Sequence, residues 1–163
     1  MITQDYLHEF FHYDSETGVF SRKKRTGSST HVGDIVGSDN GSGYLVICLK
    51  SRLYYAHRIA WLYVYGEMPC RNIDHINGNR ADNRICNLRL VNQSQNVANS
   101  KLSKANTSGC KGVTWRKDTN KWAAGLMLNY KRISLGSFKT KEEAAEAYKK
   151  GAMQHFGEYA YPL

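Results

Sequence analysis

The run Ile73-Asp74-His75-Ile76-Asn77-Gly78-Asn79-Arg80-Ala81-Asp82-Asn83-Arg84-Ile85-Cys86-Asn87-Leu88-Arg89-Leu90-Val91-Asn92-Gln93-Ser94-Gln95-Asn96 decides how this chain is read. An Asp-His pair closes a short apolar run ending near Ile73. Asn77-Gly78-Asn79 then permits positive φ and a tight loop. Residues 87–91 form a second strand, and Asn92 caps a helix with Gln95 three residues on, as in a capping box. Strand, loop, strand, helix is the predicted order, and it brings Asp74 and Asn96 to one point. Asp74 offers a hard oxygen ligand and Asn96 a neutral one. His75 offers a ring that is mostly neutral near pH 7, because unperturbed histidine titrates near ~6.5. One hard cation beside a general base is the equipment of metal-assisted phosphodiester cleavage.

Other metal readings of this stretch fail. In an EF-hand loop counted from Asp74, the third and fifth positions are Ile76 and Gly78, which supply no ligating side chains. A zinc site lacks a second His or Cys nearby. The hard-oxygen reading suits Mg²⁺ or Mn²⁺, which keep waters and accept phosphate oxygens as ligands.

The bulk numbers agree with a nucleic-acid partner. The chain has 163 residues, enough for one average domain or two small ones, and 41% of them are hydrophobic. Its net charge of +9 and pI near 9.4 point to a polyanion. The longest apolar run, residues 59–65, is far short of the ~20 residues a membrane span needs. No signal peptide is read at the start, so the expected location is the cytoplasm, in a bacterial host cell. Cys48, Cys70, Cys86 and Cys110 stand far apart without a Cys-x-x-Cys pair, and are read as free buried thiols.

Ahead of the central run, Thr3 caps a short helix whose apolar face is Leu7, Phe10 and Phe11. Residues 13–18 read as a turn, and Val19 opens a strand. Arg22-Lys23-Lys24-Arg25 is a basic run that either grips a phosphate backbone or is simply solvated. Residues 35–49 suit a β-hairpin and residues 53–55 a strand. Residues 57–65 suit a buried helix. His57 is read as a satisfied core histidine, with a place near the site as the alternative.

The residues Ile-Asp-His-Ile-Asn-Gly-Asn, then Asp82-Asn83, Asn87-Leu88-Arg89 and Asn96, resemble the HNH endonucleases of the phage and homing type. The likeness implies that His75 is the general base, that Asp74 and Asn96 bind the metal, and that Asn87 ties down the loop. It implies a ββα-metal (His-Me finger) core over about residues 71–100, within a nuclease unit of residues 1–100. The chain is then encoded by a phage or mobile element.

Residues 101–107 are polar and read as a linker. Behind it, residues 112–116, 122–128 and 132–135 suit three antiparallel strands, and Thr140 with Glu143 caps a helix running to Gly157. Residues 101–139 hold nine Lys or Arg against one acid, an excess of +8. Trp122 is read as core; Trp115, Arg116 and Lys117 as exposed. Gly-Val-x-Trp-Arg, Lys-Trp-Ala-Ala, Leu-Gly-Ser-Phe and Glu-Glu-Ala-Ala-x-Ala-Tyr resemble the plant ethylene-response-factor (APETALA-type) DNA-binding domain. The resemblance covers residues 109–160, in a unit taken as 108–163. It implies that Lys111, Gly112, Thr114, Arg116, Met127, Arg132 and Ser134 fall at contact positions. Trp115, Lys117 and Lys121 complete the expected basic and aromatic surface. Thr114, Met127 and Ser134 are not the Arg or Trp of the plant proteins, so base preference does not carry over.

The expectation is therefore an α+β protein that hydrolyses double-stranded DNA with Mg²⁺ or Mn²⁺. A small metal site reads little sequence, and the C-terminal unit supplies further contacts. The competing reading is a non-catalytic DNA-binding transcriptional regulator that kept the HNH fold. A monomer would nick and a homodimer could cut both strands; the residues do not choose between them.

Overall fold

The computed structural model describes residues 1–100, 102, 103 and 105–160. Positions 101 and 104 of the expected linker, and 161–163 at the end of the expected C-terminal unit, lie outside the described residues. The chain is a mixed α+β protein of small sheets with four α-helices among the described residues. Contacts divide it into two compact units between Leu90 and Val91.

The first unit opens with α1 (Gln4–Phe10), whose first turn is closed by Thr3 Oγ1 accepting from the Tyr6 N–H at 3.2 Å. Apolar spacing placed Phe11 on this helix. Instead Phe11 is extended (φ −133°, ψ 151°) and begins β1 (Phe11–Asp14). Phe11 and Tyr13 point inward around exposed His12, the two-residue period of a strand. β1 pairs antiparallel with β2 (Val19–Arg22), which pairs with β3 (Ile35–Val36). A second antiparallel sheet holds β4 (Ser38–Asp39), β5 (Leu45–Leu49) and β6 (Arg52–Tyr55). β6 runs straight into α2 (Ala56–Tyr65), which buries His57, Ile59, Ala60 and Leu62. Leu7, Phe11, Phe20, Leu49 and Ile59 are the innermost side chains of this core. Each contributes ~1.5–3 kcal/mol through burial. β7 (Asn72–His75) and β8 (Leu88–Val91) form a two-stranded ribbon, with a 3₁₀ turn at Ile85–Asn87 leading into β8.

In the second unit α3 (Gln93–Asn99) carries both halves of the Asn92–Gln95 capping box. β9 (Val113–Arg116), β10 (Lys121–Leu128) and β11 (Lys131–Phe138) form one antiparallel sheet with β10 at its centre. α4 (Lys141–Phe156) follows its own capping box, Thr140 with Glu143. Ala144, Tyr148, Ala152 and Phe156 form a core with Val113, Ala124 and Leu126, which Ala98 of α3 joins.

The reading of the cysteines as buried is corrected: they are free, but Cys48, Cys70 and Cys86 are exposed and Cys110 is half-buried. Cys48 is an exposed position within β5, and the other three lie in bends and the 3₁₀ turn, where a small thiol meets solvent. No described helix is long and apolar enough to cross a membrane.

Gly18 makes the turn between β1 and β2 with φ +73°. A Cβ there would stand 2.4 Å from the Arg84 nitrogen and 2.5 Å from the Asn83 carbonyl carbon. Gly33 shares the positive φ, at +90°, with nothing within 4 Å. Gly33→Ala should therefore cost only the left-handed backbone, ~1–2 kcal/mol. Gly18→Ala adds a backbone clash that no rotamer relieves and should cost at least ~3 kcal/mol. Urea unfolding of the two variants checks the difference; equal losses would show that the turn moves away from Asn83.

Candidate active site

Asp74 and His75 end β7, and both are buried. Two polar side chains at the buried end of a strand need partners. Arg89 of β8 supplies one: its Nε and Nη2 both lie 3.0 Å from Asp74 Oδ2. Side-chain exposures of 12% for Arg89 and 9% for Asp74 make this a buried ion pair. Removing either partner would strand a buried charge, and the two contacts fix the orientation of the carboxylate.

His75 is held by Asn83, whose Oδ1 lies 3.2 Å from the ring Nε2. Asn83 is 1% exposed, and its own orientation is set by Nδ2 donating to the Ala81 carbonyl at 3.2 Å. An amide oxygen can only accept. His75 Nε2 therefore carries the hydrogen, and the lone pair of the neutral ring is on Nδ1. From behind, the Tyr13 hydroxyl donates to the Asn83 carbonyl at 2.7 Å. Burial pushes the His75 ring below the ordinary histidine value, against the pull of Asn83 and Asp74. The ring is thus a neutral base across physiological pH.

The loop between the strands is tied by amides. Asn87 Oδ1 accepts from the Asn77 N–H at 3.0 Å, while its Nδ2 donates to Asn77 Oδ1 and to the Asp82 carbonyl. Asp82 receives Arg84 Nε at 2.8 Å and Nη2 at 2.6 Å, with Asn77 Nδ2 at 2.7 Å. The Arg84 hydrogen bonds lead in holding the Asp82 carboxyl down at about 2. Asn83 lies between these anchors, so the loop's rigidity passes to the base.

His57 reaches this cluster from α2. Its ring centroid is 5.1 Å from that of His75, edge to face. Tyr55 stacks on it at 5.3 Å, and Tyr44 stands 5.6 Å from His57 and 6.0 Å from His75. Burial first, then the neighbouring His75, pushes the His57 ring down to about 3. It is buried as a core histidine would be, but among the described residues its Nδ1 has no hydrogen-bond partner.

Asn96 lies half-buried on α3, in the second unit. Lys111 donates Nζ to the Ala98 and Ser100 carbonyls at 2.6 and 2.5 Å, and to Val97 at 3.0 Å. They lie at the end of α3, where carbonyls run out of helical partners, though Val97 also accepts from the Ser100 N–H and hydroxyl. Burial lowers the Lys111 ammonium to about 8. Its head is turned to the helix end instead of standing out on the sheet. Gly112 begins the sheet beside it, with φ +68°.

On the sheet, directly paired residues share a face. Thr114 opposes Ala123, Arg116 opposes Lys121, Gly125 opposes Ser134, and Met127 opposes Arg132. Thr114, Arg116, Lys121, Met127, Arg132 and Ser134 are all exposed, as is Lys117 in the turn. Trp115 is 41% exposed and meets half-buried Trp122 edge to face at 5.1 Å. Arg116 pairs with Asp118 through two 3.2 Å contacts. Such surface pairs are worth only ~0–1 kcal/mol, so the guanidinium is easily taken by a stronger anion.

Sequence reasoning missed the support of this site. Asn83 and Arg89 do more to place His75 and Asp74 than Asn87 does directly. The available signals were the Asp82-Asn83 dipeptide inside the loop, and an Arg on a strand opposite an acid.

A family profile described as HNH endonuclease matches residues 54–98, and one described as AP2 domain matches residues 108–157. Protein 3.8 of Escherichia phage T7 is 35% identical over 105 residues, 64% of this chain and 86% of that protein. An uncharacterized HNH endonuclease of Acanthamoeba polyphaga mimivirus is 32% identical over 122 residues, 74% of this chain and 63% of its own length. An ethylene-responsive transcription factor of Arabidopsis thaliana is 39% identical over 94 residues, 53% of this chain and 28% of its length. The chain thus spans less than two thirds of the mimivirus and plant proteins. No solved structure matches it.

The His57 ring, at about 3 when folded, titrates near ~6.5 when unfolded. Above ~6.5 both states are neutral. Below it the unfolded chain binds a proton that the folded chain refuses, so stability falls with pH down to about 3. Urea midpoints should decline from pH 7 to pH 4 in the wild type and decline less in His57→Gln. Parallel pH profiles would mean that His57 is charged in the folded protein.

Proposed function

Because the chain belongs to the HNH endonuclease family and carries an AP2 domain behind the HNH segment, we propose that it is a metal-dependent endonuclease that hydrolyses double-stranded DNA. The observation that carries this reading is the buried His75 ring, held neutral by burial and fixed by Asn83 with its lone pair on Nδ1. A core histidine without a chemical task does not need its tautomer specified by a buried amide.

The oxygen donors of the motif suit a hard divalent cation. Asp74 offers a carboxylate and Asn96 a neutral amide oxygen. Among the described residues no three His, Cys, Asp or Glu gather as a softer metal would ask. Mg²⁺ or Mn²⁺ on Asp74 and Asn96, sharing phosphate oxygens, would neutralise the charge that builds on the phosphate and the leaving 3′ oxygen. His75 Nδ1 takes the proton of the attacking water, and the resulting hydroxide adds to phosphorus in line with the departing oxygen. Asn83 holds the imidazolium that forms, and Asp74 beside it balances the charge. Arg89 keeps Asp74 aimed. Asn87 and Asp82 keep the loop from moving the base.

The domains follow the same division of labour. Residues 1–100 serve catalysis, residues 101–107 link, and residues 108–163 tether the DNA. Thr114, Trp115, Arg116, Lys117, Lys121 and Arg132 contact it, with Lys111 and Gly112 shaping the first strand. A phage and a giant virus encode similar proteins, which favours a mobile genetic origin for this one.

His75→Ala should lower plasmid cleavage in Mg²⁺ by ~10²–10⁴-fold and leave DNA affinity within about twofold. Wild-type protein that cuts equally well in excess chelator, or a His75→Ala variant that cuts fully, would refute the assignment. Arg116→Ala and Lys117→Ala should each flatten the slope of log affinity against log salt by ~0.9. Unchanged slopes in both would move the contact surface off the sheet.

A further inference from the structure

Residues 1–53 precede both matched segments, yet they help to build a cleft of about 490 Å³ in the first unit. Tyr6, Phe10 and Phe11 form its floor, and Arg22 and Lys50 are its charged lining residues. Each cation is held over a ring: Lys50 Nζ lies 4.4 Å from the Tyr6 centroid, and Arg22 Cζ lies 5.8 Å from that of Phe11. A cation held by a ring face keeps N–H donors for another acceptor. No carboxylate lines the cleft. Arg22 Nη1 donates to Thr26 Oγ1 at 2.5 Å, and neither Arg22 nor Lys50 is in an ion pair among the described residues.

Lys50 is also placed against local preference. It and Ser51 form the two-residue turn between β5 and β6, at φ +48° and +61°. Asn-Gly is the low-cost pair for such a turn. A long basic side chain at the first position carries a conformational cost, yet Lys50 lines the cleft. Lys23, Lys24 and Arg25 follow Arg22 in the sequence; Lys23 donates to the His8 carbonyl, Arg25 to the Ser28 carbonyl, and exposed Lys24 pairs with Glu9 at 2.7 Å. A cleft with two cations beside this basic stretch suits a polyanion better than a single small ion.

We propose that this cleft grips a backbone phosphate of the bound DNA, with Arg22 and Lys50 on its oxygens and the deoxyribose against the aromatic floor. The proposal rests on the DNA-binding reading above but not on cleavage.

The test uses the full chain in excess chelator, so that binding is read without hydrolysis. Arg22→Ala and Lys50→Asn should each reduce the salt slope by ~0.9, and the double variant by about 2. Ethylation interference should lose a phosphate contact in the double variant that the wild type shows. Lys50→Asn also relieves the turn, so it should raise the melting temperature while weakening DNA binding; a merely structural residue would not move those two readings apart. An unchanged salt slope in the double variant would overturn the proposal. So would inorganic phosphate stabilising the protein through Arg22 and Lys50 while DNA binding stays intact, which marks a small-anion pocket. Loss of cleavage in wild-type protein with normal salt slopes would sink only the nuclease reading.

Discussion

The hydrogen bond between His75 and Asn83 is the constraint on which the rest of the site depends. An imidazole at the end of a buried strand can exist in either tautomer. Asn83 chooses between them, because its own amide nitrogen is already committed to Ala81. Tyr13 and the Gly18 turn press on the same short segment from β1 and β2. Strands that look remote from the chemistry therefore set its geometry. This explains why a motif of about 25 residues stands on a larger platform of α1, α2 and two small sheets.

The two units handle buried polarity in different ways. In the first, polar groups are concentrated around one ribbon, and amides and a guanidinium satisfy them: Asn77, Asn83, Asn87 and Arg89. In the second, the core is apolar, and the charges lie outside on an open sheet face where they pair weakly and exchange partners at little cost. A rigid, dry centre is what the proposed proton transfer would need, and a loosely paired basic face is what the proposed contact with a DNA backbone would need.

Much of this was legible in the sequence. The capping boxes at Asn92 and Thr140 marked their helices because each side chain satisfies an orphan N–H at a fixed spacing. The C-terminal strands showed through long alternating runs bounded by turn residues. The hairpin read over residues 35–49 holds β4 and β5, but Ile35–Val36 pairs with β2 instead, and β1 does not show as a strand, since two to four residues carry too little periodicity. Phe11 was assigned to α1 because helical and strand spacing coincide over so short a stretch. Partners chosen in three dimensions were invisible as well. Nothing in the local sequence says that Asn83 serves His75, or that Arg89 spends its guanidinium on Asp74. Cysteine burial was misjudged because the residue's average preference was applied to surface positions in a strand and in turns.

Helix α3 ends under the Lys111 ammonium, and Ala98 sits in the apolar core of the second unit. The polar stretch that looks like the natural seam is therefore not where the packing can be parted. A fragment cut after Ser100 would expose a bare alanine patch and a row of unclaimed carbonyls. A transplanted C-terminal piece begun at residue 108 would carry a lysine whose charge had lost its receptor. Recombination that trades one unit for another, in evolution or at the bench, should succeed only when the crossover leaves α3 travelling with the sheet it leans on.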